Sequence, residues 1–160
     1  MGTNGTAKPR HVYQVFIRTA PERLWEAITT SEFTTRYYYA STVESDWQPG
    51  SSLRYVSGAD TAILGTVLEA EPPRRLVTTF DARWDDEVGP DAPSRIAWEI
   101  EDAGPGVCKL TVVHDGFEPG SATAQQFEGG RPFILSGLKT LLETGQPLVP
   151  AQGAAQPANA

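Results

Sequence analysis

Two histidines, one cysteine and a set of aromatic residues carry most of the chemistry open to this chain. His114 ends an alternating stretch, Cys108, Leu110, Val112, His114, in which a period of two puts all four side chains on one face of a sheet. A histidine facing inward at a strand end has two readings. It can act as an acid/base or accept a ligand's proton near neutral pH, or it can bond a backbone group and pack the turn at Gly116-Phe117. His11, beside a small polar chain end, is expected in solvent. Two histidines and one cysteine offer no three-ligand zinc constellation, so neither a metal nor a cofactor is expected. Cys108 follows the inward parity and reads as a small core residue rather than a nucleophile.

The aromatic residues carry a second signal. Phe80 and Trp84 share the inward parity of Leu76, Thr78, Phe80, Ala82, Trp84, and Trp98 lies in the middle of Ile96, Trp98, Ile100. Rings at such positions either fill the core or wall a pocket for a flat apolar ligand. Tyr55 is a pocket candidate because a buried phenol needs a hydrogen-bond partner. Arg36-Tyr37-Tyr38-Tyr39 reads as a helix end packed on a sheet, not as a base-stacking platform. Asp85-Asp86-Glu87 runs into Val88-Gly89-Pro90 and reads as a solvated turn; no EF-hand loop is present. There is no G-x-S-x-G elbow, no Gly-rich phosphate loop, no dinucleotide fingerprint and no inward carboxylate pair. Hydrolases and transferases built on standard machinery are disfavoured.

The elements that must position these residues follow from length and patterning. The chain has 160 residues, and 13 Lys+Arg against 20 Asp+Glu give a net charge of −7 and a pI near 4.8. Nucleic acid and anionic membrane partners need a positive footprint that this balance lacks. Apolar runs are too short for membrane insertion, and no secretory signal follows Met1, so a cytoplasmic location is expected. Residues 1–10 and 146–160 are small and polar and are expected to be disordered, leaving residues 11–145 as a single domain.

Within that domain Val12 to Arg18 alternates as a strand, with Tyr13, Val15 and Ile17 on one side. Thr19-Ala20-Pro21-Glu22 has the form of a capping box opening a helix that carries Leu24, Trp25 and Ile28. A second short helix starts near Ser31. Strands are expected at 42–45, 51–57, 62–70, 75–84, 95–101 and 107–114, separated by turn dipeptides such as Pro49-Gly50 and Pro105-Gly106. The last helix begins near Pro132, carries Ile134, Leu135, Leu138, Leu141 and Leu142 as an apolar stripe, and ends at Gly145. Gly137 within it means either a close approach to the sheet or space left beside the helix. The class is α+β: a curved antiparallel sheet of six to seven strands wrapped around a long C-terminal helix, with two short helices after the first strand.

Four stretches in this order resemble the START-like, helix-grip superfamily (SRPBCC proteins), and within it the homologues of the activator of heat-shock-protein-90 ATPase. They are Ala20 to Ile28, Gly65 to Leu76, Leu110 to Phe117 and Gly130 to Gly145. The resemblance implies a helix-grip fold with a cavity between sheet and long helix, often used for apolar small molecules. The leading expectation is a non-enzymatic binding domain for a lipid, aromatic or polyketide-like molecule. Its wall would come from Tyr55, Phe80, Trp84 and Trp98 with Leu110, Val112 and His114, and Leu135 and Leu138 would close it from the helix. Two alternatives remain open: a cyclase- or hydratase-like enzyme using His114 as acid/base, and a co-chaperone-like partner of a heat-shock-protein-90-type ATPase.

Overall fold

The computed structural model describes residues 9–149, so the expectations for residues 1–8 and 150–160 lie outside the described part. The elements run β1 (His11–Ile17), α1 (Pro21–Thr29), α2 (Ser31–Tyr37), β2 (Thr42–Ser45), β3 (Ser52–Ser57), β4 (Asp60–Glu71), β5 (Arg75–Ala82), β6 (Ser94–Gly104), β7 (Val107–Asp115) and α3 (Ala122–Thr144). Seven strands form one antiparallel sheet in the order β1-β7-β6-β5-β4-β3-β2. Strands β2 to β7 are a simple meander, because short turns join antiparallel neighbours directly. The first strand closes the far edge by pairing with the last, His11 opposite His114. Register breaks at Tyr55/Val56, Val67/Glu69 and Asp102/Gly104 bend three of the strand pairs, and the bent sheet wraps α3.

Alternation decides which side chains meet α3. Leu76, Thr78, Phe80 and Ala82 are buried, as are Ile96, Trp98 and Ile100, and Cys108, Leu110, Val112 and His114. Facing them, α3 buries Phe127, Ile134, Leu135, Leu138 and Leu141, and α1 and α2 add Leu24, Ile28, Phe33 and Tyr37. Each large apolar side chain removed from water contributes about 1.5–3 kcal/mol before entropy is counted. Polar staples fix β1 to the end of α3: Lys139 Nζ donates to the Phe16 carbonyl at 2.6 Å, and the Arg18 N–H donates to Glu143 at 2.9 Å.

Three local expectations are corrected. The helix α1 starts one residue later than a Thr19 box requires: Ala20 is the N-cap, in extended conformation, with no side-chain cap. Pro21 explains this, because a residue before proline is driven out of the helical region. Next, β5 ends at Ala82, which leaves Trp84 beyond the strand. The largest difference concerns α3. It begins at Ala122, about ten residues ahead of Pro132, with Ser121 as N-cap accepting the Ala124 N–H at 3.2 Å. Asp91 adds two bonds to the same end, from the Thr123 N–H at 2.8 Å and its hydroxyl at 2.7 Å. Pro132 therefore lies inside the helix, on its exposed side, where it forfeits one backbone bond but collides with no core. Gly145 ends the helix with φ 79°, as read from the sequence. Gly137 marks a close approach, though to α2 and not to the sheet: a Cβ there would stand 3.3 Å from Tyr37 Cβ.

Candidate functional site: the interior between sheet and helix

A small void lies in the inner layer, walled by Leu53 and Tyr55 of β3, Ile63 of β4, Leu76, Thr78, Thr79 and Phe80 of β5, and Ile96 and Trp98 of β6. Tyr38 and Trp47 close it from the segment that leads into and out of β2. Its volume is about 10 Å³, room for roughly one water, whereas ligand pockets span hundreds of Å³. The Tyr38 ring stacks on Tyr55 at 4.6 Å, and burial pushes the Tyr55 phenol well above its ordinary pKa.

The nine residues picked from the sequence divide among three places. Tyr55, Phe80 and Trp98 line the void. Leu110, Val112, His114, Leu135 and Leu138 are buried in the adjoining core. Trp84 stands apart at 38 % exposure, its indole N–H donating to Gln126 at 2.6 Å, so it ties the β5 end to the first half of α3.

His114 is fully buried in a cluster of rings and polar groups. Phe127 stacks on it at 3.8 Å, and Phe117 lies at 4.8 Å. Its Nε2 is 2.7 Å from Ser94 Oγ, and that hydroxyl donates onward to the Phe80 carbonyl at 3.3 Å. Nδ1 of His114 faces Nδ1 of His11 at 3.5 Å. Burial, then the Arg131 and His11 charges, lower the His114 pKa to about 3. His114 is thus neutral at pH 7 and a weak base, and Ser94 is a buried linker rather than an activated nucleophile. His11 is not in solvent: its side chain is 18 % exposed, stacked on Phe117 at 4.7 Å, with Glu128 3.9 Å away. The register pairing with His114 brings it inward.

Sequence reasoning missed Arg131. It is 2 % exposed, on the inner face of α3 between Phe127 and Ile134. One nitrogen, Nη2, donates to the Tyr38 hydroxyl at 2.9 Å. The guanidinium also lies over the rings of Phe127, Tyr38 and Trp98, at 4.2, 5.2 and 5.6 Å. Among the described residues Nε and Nη1 have no acceptor, and the buried Tyr13 hydroxyl has no partner. The signal was available: Phe127, Arg131, Ile134, Leu138 and Leu141 follow helical spacing, so a helix begun at Ser121 would have shown a charge inside the apolar stripe. Among the described residues no group of three or more His, Cys, Asp or Glu could hold a metal ion.

A seven-stranded antiparallel sheet gripping one long C-terminal helix, with two short helices after β1, defines a helix-grip protein of the START-like class. The family profile described as Activator of Hsp90 ATPase homolog 1-like protein matches residues 18–143, and the chain belongs to that family. The fold is shared with protein MLL2253 from Mesorhizobium loti, at 22 % identity and a TM-score of 0.70, covering 84 % of this chain and 96 % of that one. It is shared too with PFC0360w, an HSP90 activator from Plasmodium falciparum (21 %, TM-score 0.69, covering 83 % and 95 %). The Aha1 dimer from Colwellia psychrerythraea aligns at 14 % identity with a TM-score of 0.69, covering 86 % and 98 %. No curated protein matches the sequence.

Proposed function

We propose that this domain binds an apolar small molecule between its sheet and α3, admitted when the segment from Tyr38 to Gly50 swings outward. The observation that carries this is where the backbone is strained. Tyr39, Ala40 and Trp47 have φ of 51°, 57° and 57°, in the left-handed region that non-glycine residues seldom enter. They flank β2, a four-residue edge strand paired only with β3. Tyr38 and Trp47, at the two ends of this flap, also close the void. Strain of this kind costs on the order of 1–3 kcal/mol per residue and collects at clamps and switches. Releasing it offsets part of the work of opening a core that is closed at rest.

The test is an amide-resolved NMR titration with sterols, fatty acids, flavonoids and polyketide-like aromatics. Saturable shifts at Tyr38, Trp47, Tyr55 and Trp98 are the expected result. A panel that moves none of these amides, or only those of the outer sheet face, overturns the reading.

A second reading, a chaperone-type protein partner, rests on the family and on the edge strand β1, where Val12 and Phe16 are 48 % and 54 % exposed. Stimulation of an Hsp90-type ATPase, lost on replacing Phe16 with Ser, would favour it. Acid/base catalysis by His114 draws least support, since a pKa near 3 suits neither an acid nor a base at neutral pH.

A further inference from the structure

The void is small, and the polar groups around the Phe127 ring are not balanced. Among the described residues, the buried side-chain nitrogens and oxygens that lack a partner are Tyr13 Oη, Arg131 Nε and Arg131 Nη1. Tyr13 and Arg131 flank the same ring, Phe127, which lies 6.2 Å from the Tyr13 ring and 4.2 Å from the guanidinium. Arg131 also touches Tyr38 and Trp98, two residues of the void wall. No carboxylate of the described residues forms an ion pair with Arg131. The nearest candidate on its own helix, Glu128, points to His11 and is 69 % exposed. Among the described residues, the Tyr38 hydroxyl and three ring faces therefore supply the compensation this buried cation receives. Buried charges are ordinarily paired, and donors left unmade in a low-dielectric interior are costly.

We infer that Arg131, with the Tyr13 hydroxyl, is the anchor for the carboxylate of an amphipathic ligand, a monocarboxylic acid whose apolar body extends along Phe127, Tyr38 and Trp98. Nε and Nη1 carry most of the guanidinium protons and are the free donors; the Tyr13 O–H is a third. A monoanion matches the one charge of the buried Arg131, and its oxygens accept where no described residue does. The aromatic faces that now cover the guanidinium become the contact surface for an aromatic or acyl body. A carboxylate is favoured over a neutral polar head because it answers both the charge and the open donors. The proposal rests on the interior-binding reading and deepens it by naming the head group.

The test pairs an acid with its uncharged isostere: 2-naphthoate against 2-naphthamide, and decanoate below its micelle concentration against decanamide. Both pairs are titrated by calorimetry at pH 7 into the full chain. The acids are expected to bind about tenfold or more tightly than the amides. In Arg131→Met this preference should collapse to near unity, and in Tyr13→Phe it should shrink. Equal affinity of acid and amide for the unaltered protein overturns the anchor and leaves interior binding standing. No binding by either member overturns both. Thermal unfolding without ligand supplies an independent arm: Arg131→Met should unfold at the same or a higher temperature, because an uncompensated buried charge has gone. A marked fall, with no acid preference in the unaltered chain, assigns Arg131 to structure alone.

Discussion

His114 shows how one side chain can be legible in position and not in role. Strand parity puts it inside, and there it is, wholly buried. Its surroundings come from residues distant in the sequence: Phe127 on α3, Ser94 on β6 and His11 across the β1–β7 ladder. No local pattern announces those three together. The same distance hid Arg131, whose burial depends on a helical turn ahead of Pro132. A testable consequence follows for His114. Its pKa is lowered in the folded protein to about 3 from 6.5, so the unfolded chain binds the proton more readily. Stability should be level above pH 6.5 and fall as the pH drops through the range toward 3, by a few kcal/mol by about pH 4. Urea titrations at a series of pH values check this. His114→Gln, which keeps a hydrogen-bonding group for Ser94, should flatten the acid slope between pH 6 and 4, and an unchanged slope would assign the acid sensitivity to other groups.

Among the elements, strands were easier to read than α3, for a physical reason. A strand buried on one face shows its period in five or six residues, and β5, β6 and β7 each do. A helix containing Gly129, Gly130 and Pro132 spells a break in local terms, yet tertiary packing carries it through. Ser121, Asp91 and Trp84 hold the first half, while Ile134 to Leu141 hold the second. Local propensity is a weak prior when both flanks are anchored. The sheet has a similar hidden constraint at Gly65, which lets β4 lie close against β5. A Cβ at that position would collide with the Thr79 carbonyl oxygen, a backbone atom that cannot rotate away. Gly65→Ala should cost about 2 kcal/mol in urea unfolding with an unchanged m-value. A loss under about 0.5 kcal/mol would mean that β4 has slack at its bulge.

At the scale of the whole molecule, the void behind Tyr38 and Trp47 has room for roughly one water, so the proposed binding there must be preceded or accompanied by opening. Kinetics should show it. Under excess ligand the observed rate should rise and then level off at the opening rate, with an association rate constant below the usual 10⁵–10⁷ M⁻¹s⁻¹. Stopped-flow tryptophan fluorescence measures this directly, and a rate that stays linear to high ligand concentration would mean that a preformed entrance exists. The sequence could show the architecture because element order and alternation are local. It could not show whether the interior is open, since that depends on how Tyr38, Trp47 and Tyr55 meet across the fold. The pairing of the first strand with the last also bears on how the protein is made. His11 waits for His114, 103 positions later. At ribosomal speeds of roughly 5–20 residues per second that is on the order of 5–20 s. Through that interval β1 carries Val12 and Phe16 with no ladder partner, so the nascent chain presents an apolar strand before its partner exists, and the addition of β1 to the sheet becomes a late event that synthesis rate itself can advance or delay.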